Sequence, residues 1–366
     1  MKMRTSTQIR LSLVLFGALA TFCTVSAQAR LIYWTDLAPG SSSSIKRLRA
    51  DGSGIETLIT GLLHPRGMTL DVPGGKMYWT EAAPLGIRRA NLDGTGIAET
   101  VVPLQAGFGF AHVVVDDATG KMYWTNTQVP VIAGGGRIQR ANLDGSGVED
   151  VVTDNLMHPV GIALDLAQEK VYWTDLEGNL DGTGKIQRSN LDGSNVETLL
   201  TGIDEANGIA VDAVGGKMYW PEITTGKIQR ANLDGTGVED LVVGLGSPTT
   251  IGLDQGKMYW TDSNQGGQLN RIERANYDGS DREVIVSGGF PWGIAVASCN
   301  ACPCFGDFDG DGIVGLSDLA QMLSSFGTCQ GNPRYNPAAD FDNDLCVDLT
   351  DLSNLLSVFG RCVQSP

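Results

Sequence analysis

Apolar and polar residues alternate along most of this chain in short bursts, and the bursts return at a nearly fixed interval. Tyr-Trp stands at Tyr33-Trp34, Tyr78-Trp79, Tyr123-Trp124, Tyr172-Trp173, Tyr219-Trp220 and Tyr259-Trp260, in steps of 45, 45, 49, 47 and 40 residues. Each pair is followed by a polar strand and then by a turn centred on Asp-Gly, at Asp51-Gly52, Asp93-Gly94, Asp144-Gly145, Asp192-Gly193, Asp234-Gly235 and Asp278-Gly279. Asp-Gly between alternating runs marks a hairpin, because glycine accepts the positive φ the turn requires. Next comes a short apolar strand such as Gly161-Ile-Ala-Leu-Asp165 or Gly208-Ile-Ala-Val-Asp212. Four strands in each of six units predict an all-β, six-bladed β-propeller, whose blades bury their apolar faces against one another.

An open stack of blades would expose two sticky ends, and the order of the segments offers a way to close it. The chain after its first residues begins directly with Leu31-Ile32-Tyr33-Trp34, without the apolar strand that precedes every later Tyr-Trp. Trp292-Gly-Ile-Ala-Val296 appears at the far end with no Tyr-Trp after it. The terminal strand is therefore predicted to complete the first blade.

Composition agrees with a turn-rich β protein that can bury a core: 48 glycines among 366 residues, 42% hydrophobic and 19% charged residues. Residues 1–29 read as a secretion signal, with Lys2, Arg4 and Arg10 ahead of the apolar run Leu11 to Ala20 and a cleavage pattern at Ala27-Gln28-Ala29. That run is shorter than the ~20 residues a membrane span needs. The chain carries a net charge of −16, and loss of the three leading basic residues makes it more negative. Such a surface repels phosphate backbones and disfavours nucleic acid as a partner.

The remaining cysteines, Cys299, Cys302, Cys304, Cys329, Cys346 and Cys362, all lie in the last 68 residues. In an exported segment an even number reads as disulfides, with zinc at Cys299-x-x-Cys302 as the competing reading. Residues 299–366 also hold nine acids against two bases, so composition places a domain boundary near Ser298. The predicted organisation is a leader over 1–29, a propeller over 30–298 and a small module over 299–366.

Residues 31–297 resemble the YWTD repeats of the LDL-receptor class B family. Tyr-Trp-Thr-Asp, Arg-x-Asn-Leu-Asp-Gly and His-Pro-x-Gly-Ile-Ala-Leu-Asp recur in order, with departures at Thr80-Glu81, Thr125-Asn126 and Pro221-Glu222. The resemblance implies that the Tyr-Trp pairs pack between blades and that the propeller binds other molecules rather than transforming them.

The last module carries its own motif. Asp307-x-Asp309-x-Asp311-Gly312-Ile313 with Asp318 at position 12 has the spacing of a calcium loop: carboxylates at 1, 3 and 5, glycine at 6, a backbone carbonyl at 7 and a carboxylate at 12. A second copy starts 33 residues later with Asp340, Asp342, Asp344, Cys346 and Asp351. Leu345 takes the place of the turn glycine there, which predicts a weaker second site, and Asp348 at position 9 adds an oxygen. After each loop the apolar residues repeat at helical spacing: Leu316, Leu319, Met322, Leu323 and Phe326, then Leu349, Leu352, Leu355, Leu356 and Phe359. Over about 306–360 the chain resembles a bacterial dockerin, a small all-α pair of calcium loops, which implies two calcium ions and a cohesin-like or cell-surface partner. Leu316-Ser317 and Leu349-Thr350 stand where dockerins usually present polar pairs.

Strand direction alternates within a blade, so the loops from strand 4 to 1 and from strand 2 to 3 gather at one end and the Asp-Gly turns at the other. The 2-to-3 loops vary: Leu37–Ser44, Ala82–Gly86, Thr127–Gly136, Leu176–Gly184, Ile223–Gly226 and Ser263–Asn270. Variable loops on a rigid frame are where recognition resides. Arg66, Phe108, Phe110, His112, Glu205 and Trp292 are the candidate ligand-binding residues at this end, Phe110 and Trp292 as anchors and Arg66 as a polar contact. His64-Pro65 and His158-Pro159 match the repeat, whereas His112 stands where other blades have glycine. Asp71, Asp116, Asp165, Asp212 and Asp254 recur symmetrically, which argues for turn stabilisation, since catalysis needs differentiated groups. The spacing shows no Ser/His/Asp arrangement and no unlike metal-ligand set. The reading is a secreted, non-catalytic binding protein for a protein or glycan ligand; the alternative is a propeller enzyme of the lactonase or lyase type with a metal in its channel.

Overall fold

The computed structural model describes residues 31–38, 42–50, 52–81, 86–96, 98–105, 107–128, 134–176, 183–263, 270–297, 316–336, 339–340 and 345–357, and of Phe110, Ser317, Asn354 and Ser357 it describes the backbone alone. The leader expected over 1–29 lies outside these residues. Alternation has been converted into six four-stranded antiparallel sheets, one per Tyr-Trp unit. From the channel outwards, blade 2 runs Pro65–Asp71, Lys76–Glu81, Gly86–Asn91 and Glu99–Pro103, and the other blades follow the same plan. The predicted closure is present. Pro291–Ala297 lies antiparallel to Leu31–Asp36 with Leu31 opposite Ala297 and Trp34 opposite Ile294, so blade 1 takes its inner strand from the end of the domain.

Each interface between blades is one apolar cluster that joins the tyrosine of one blade to the tryptophan of the next. Tyr33 meets Trp79, Tyr78 meets Trp124, and the series runs round to Tyr259 with Trp34. All twelve aromatic side chains are buried. Because the two adjacent residues of a strand point to opposite faces, Tyr-Trp serves both neighbours of its blade at once.

Polar contacts repeat with the same period. Opposite each tyrosine stands an arginine of the third strand: Arg47, Arg89, Arg140, Arg188, Arg230 and Arg274. Each donates to a turn carbonyl of the next blade: Leu92, Leu143, Leu191, Leu233, Tyr277 and, across the closure, Ala50. Each also pairs with a glutamate of its own outer strand, from Glu56 to Glu283. The carbonyls receiving these bonds sit beside the Asp-Gly turns, where the glycines hold φ values of 82° to 85°. The recurring inner-strand aspartates act as read from their symmetry: Asp71, Asp116, Asp165 and Asp212 accept backbone N–H groups of the turn three residues on.

A second belt lies nearer the channel. The register of the inner strands slips between Pro65 and Met68, Phe110 and Val113, Pro159 and Ile162, and Pro248 and Ile251. A slip of this kind takes peptide groups out of the ladder. The threonine of Tyr-Trp-Thr satisfies them. Thr125 Oγ1 accepts the His112 N–H of its own blade and donates to the Val160 carbonyl of the next, at 3.1 and 2.7 Å. Thr35 likewise accepts Gly293 N–H and donates to Arg66 O, and Thr261 accepts Thr250 N–H and donates to Trp292 O. Blade 5 has Pro221 in this place, and its inner strand is shortened to Ala210–Asp212.

The last described residues hold two helices, α1 (Leu316–Ser325) and α2 (Leu349–Ser357), joined by a short antiparallel bridge of Thr328–Cys329 with Cys346–Val347. The expectation of an all-α module is corrected to this extent: its described residues include a short β bridge as well as the two helices. Cys329 and Cys346 form a disulfide, which accords with the oxidised reading for these two cysteines.

The threonine belt gives a paired prediction. Thr125→Val, which keeps the shape and removes the hydroxyl, strands two buried peptide groups and should lower stability by about 2 kcal/mol or more. Pro221→Thr restores the missing member of the belt and should raise it by about 1 kcal/mol. Urea unfolding followed by tryptophan fluorescence reads both changes; equal effects of the two variants would count against the belt.

A candidate binding site at the channel mouth

The residues four positions before the inner-strand aspartates form one level of the channel: Gly67, His112, Gly161, Gly208 and Thr250, with Gly293 completing it from blade 1. Close approach between blades explains the glycines. A Cβ on Gly67 would lie 2.6 Å from His112 Cγ, one on Gly161 2.9 Å from the Gly208 carbonyl carbon, and one on Gly293 2.1 Å from Arg66 O. Only blades 3 and 6, which face each other across a sixfold arrangement, carry side chains at this level: His112 and Thr250. Thr250 Oγ1 is engaged by Trp292 O and Thr261 Oγ1. The next level holds Thr69, Val114, Ala163, Ala210, Gly252 and Ala295, and the cavity below the mouth, about 380 Å³, is lined mostly by residues with apolar side chains, with polar atoms also facing it.

Just outside this level stand the residues that precede it: Arg66, Ala111, Val160, Asn207, Thr249 and Trp292. Ala111, Val160 and Thr249 are buried, whereas Arg66 is exposed and Asn207 and Trp292 are half-buried. Arg66 and Trp292, on adjacent blades, are thus the large accessible side chains of the mouth. Although Arg66 reaches water, the walls around it push its guanidinium pKa down by desolvation. Its charge acts in turn on two histidines. His112 is held down to about 4, by burial first and by Arg66 second. His158, half-buried on blade 4, is lowered by burial and by Arg66 against the opposing pull of Asp175.

The structure therefore brings Arg66, His112 and Trp292 together and separates the other candidates from them. Phe108 lies at the start of its strand under the guanidinium of Arg137, 4.9 Å from its ring centre, within its own blade. The side chain of Phe110 lies outside the described residues. Glu205, at φ 43°, accepts a hydrogen bond from Thr224 Oγ1 on blade 5. His64 is exposed at φ 50°. His158, a member of the repeated His-Pro element, is held in its entry loop by its N–H to Asp175 and its carbonyl to Leu176 N–H. The 2-to-3 loops extend partly beyond the described residues, at 39–41, 82–85, 129–133, 177–182 and 264–269.

The acid that follows each Tyr-Trp-Thr fixes the entry loops. Asp175 accepts the N–H groups of Met157 and His158, Asp262 those of Gly246 and Ser247, and Asp36 that of Phe290. Lys46, Lys185 and Arg271 neutralise these three carboxylates. They are structural charges, committed to holding the mouth open at a set width.

Among the described residues no group of three or more His, Cys, Asp or Glu side chains is arranged to hold a metal ion. Of the calcium-loop residues read from the sequence, Asp307, Asp309, Asp311, Ile313, Asp342 and Asp344 lie outside the described residues. Asp318 and Asp351 are buried in the first turns of α1 and α2. Asp340 is buried and accepts the Leu345 N–H and the Tyr335 hydroxyl, and Leu345 adopts φ 74°, a left-handed conformation that favours glycine. The Cys346 sulfur is in the disulfide, which leaves its backbone carbonyl as the group position 7 uses.

Comparison with known proteins follows the same division. The family model for the low-density lipoprotein receptor repeat class B matches residues 120–166, 169–213 and 256–296. The chain is 32% identical over 226 residues to a low-density lipoprotein receptor-related protein 1 of Pyricularia oryzae, covering 52% of this chain and 70% of that protein. It is 29% identical over 165 residues to the vitellogenin receptor Yl of Drosophila melanogaster and 30% identical over 158 residues to protein cueball of Drosophila yakuba. These alignments cover 43% and 42% of this chain but only 8% and 24% of those proteins. Among solved structures, the nidogen/laminin complex superposes with a TM-score of 0.62 at 21% identity, over 73% of this chain and 98% of that one. TolB from Acinetobacter baumannii does so with a TM-score of 0.59 at 15% identity, over 74% and 66%. At these identities the two structures speak for the fold alone. No helix among the described residues is long and apolar enough to cross a membrane.

The depressed His112 pKa carries a signed prediction. An imidazole that is harder to protonate in the native state than at its ordinary value of 6.5 favours folding fully above that pH. This contribution is lost as the pH falls from 6.5 towards about 4, because the unfolded chain takes up the proton first. His112→Gln should flatten that part of the pH dependence of the urea midpoint, and the proton signal of His112 in the parent should titrate near 4.

Proposed function

Because the chain belongs to the low-density lipoprotein receptor repeat class B family, we propose that its propeller is a recognition platform for a protein ligand, seated on the loop-rich end around the channel mouth. The observation that carries this reading is the contrast between the two ends. At the Asp-Gly end the turns satisfy themselves: Asp93, Asp144, Asp192, Asp234 and Asp278 each accept the N–H two residues on. At the mouth, the frame is equally rigid but leaves Arg66 and Trp292 accessible, the residue types that anchor protein interfaces. The receptor-related names of the curated relatives support binding over catalysis. Export is part of the proposal and rests on the leader read over residues 1–29.

The module after the propeller is, in this reading, a calcium-dependent tether. Asp318, Asp340 and Asp351 are buried carboxylates at the first and last positions of the two loops, and Leu345 already has the turn geometry a calcium loop needs. Calcium would be held by these residues together with Asp307, Asp309, Asp311, Asp342 and Asp344 and the carbonyls of Ile313 and Cys346, and its role is to order the loops that start the two helices. A cohesin-like or cell-surface partner for this tether follows from the dockerin resemblance.

Two measurements test the reading. Affinity capture from the native secretome should recover a partner with the full chain and lose most of it with Trp292→Ala; equal recovery by both would displace the interface from the mouth. Addition of chelator should lower the far-ultraviolet helical signal of the full chain and Asp318→Asn with Asp351→Asn should reproduce the loss, whereas a spectrum indifferent to chelator would remove calcium from the proposal.

A further inference from the structure

Arg66 differs from the other arginines around it in one respect. Arg88, Arg89, Arg137, Arg140, Arg188 and Arg271 each ion-pair with a carboxylate. Among the described residues Arg66 has no such partner, and its side chain is exposed at the mouth. An accessible guanidinium that no carboxylate of a chain of net charge −16 has taken up is free to receive one from a ligand. On the adjacent blade the inner strand places His112 at the next level of the channel, beside Gly67. Carboxylates at this end of the propeller are committed elsewhere: Asp175 to the Met157 and His158 N–H groups and Lys185, and Asp36 to Phe290 N–H and Lys46.

We propose that the channel mouth is a carboxylate-binding site, in which Arg66 pairs with an Asp or Glu side chain on a segment of the protein ligand. This rests on the mouth being a protein-binding face and names the chemistry that face selects. The planar guanidinium offers two parallel N–H donors, which suits a carboxylate. The imidazole of His112, on the adjacent blade, keeps an N–H donor without adding charge when neutral. Trp292, at the equivalent place on the adjacent blade, gives an apolar residue beside the acid a surface to rest on. A polyanion such as nucleic acid is excluded because the surrounding surface is negative over a much larger area than this single cation commands. An isolated carboxylate on an otherwise uncharged loop meets the local field of Arg66 within a Debye length and escapes most of the rest.

The test uses the full chain and two synthetic peptides, acetyl-Gly-Leu-Glu-Leu-Gly-amide and its Gln counterpart, with inorganic phosphate as a third probe, read by tryptophan fluorescence and calorimetry. The Glu peptide should bind at least about tenfold more tightly than the Gln peptide, the difference a charge-assisted bidentate pair provides. Arg66→Gln should abolish that difference, Arg66→Lys should retain part of it, and Arg334→Gln, an equal charge change in the exposed C-terminal module, should leave it intact. Should Arg66→Gln fail to fold, the lysine variant carries the test. If the two peptides bind equally to the parent and Trp292→Ala weakens both, the carboxylate site is overturned while the binding face stands. If phosphate displaces the Glu peptide as well as acetate, added as a fourth probe, does, selection for a carboxylate is overturned.

Discussion

The threonine hydroxyl that follows each Tyr-Trp is the contact on which the arrangement of the channel depends. Inner strands that crowd round a narrow axis slip in register at the mouth, and the slip leaves an N–H and a carbonyl without ladder partners. One hydroxyl, able to accept and donate at once, answers both, and it does so across the seam between two blades. Position and satisfaction are therefore the same event: a blade cannot shift without stranding peptide groups in a buried place. Blade 5, where Pro221 cannot perform this service, has the shortest inner strand, which is the outcome the account requires.

Two further periodic devices act at different radii. The Tyr-Trp pairs fill the space between blades, and the arginines opposite the tyrosines reach the carbonyls beside the next blade's Asp-Gly turns in an unbroken circuit of six. Because that circuit includes Arg274 to Ala50, the closure between the first and last strands is held by the same interaction as every other seam. A frame so completely self-satisfied makes departures from symmetry informative. Arg66, His112 and Trp292 are such departures, and they fall on one side of the channel mouth.

Much of the fold was legible along the chain because its information is local and repeated. Hydrophobic alternation gave the strands, Asp-Gly gave the turns, and the missing strand before Leu31 gave the closure. The symmetric aspartates were correctly assigned to turns from their recurrence. The site was legible only in part. His112 stood out as an intruder at a glycine position, and Arg66 and Trp292 as large residues in a short loop, but their mutual placement depends on a slip in register that no single strand announces. Phe108 illustrates the limit: its type suits an anchor, yet a cation of its own blade covers it. In the C-terminal module, spacing singled out Leu345 and the acids Asp318, Asp340 and Asp351 but not their burial, and the sequence left fifteen ways to pair six cysteines.

By itself, then, the amino-acid order determined the number of blades, the residues between them and the end at which variable loops gather, since each follows from a period or a turn type. Only the tertiary structure decided which of the loop residues come together, that Arg66 lacks a counter-charge among the described residues, that His112 lies beside Gly67 on the adjacent blade, and that Cys329 bonds Cys346. The physical reason is that charge, desolvation and covalent cross-linking act through space across blades some 45 residues apart in sequence, whereas periodicity acts along the chain.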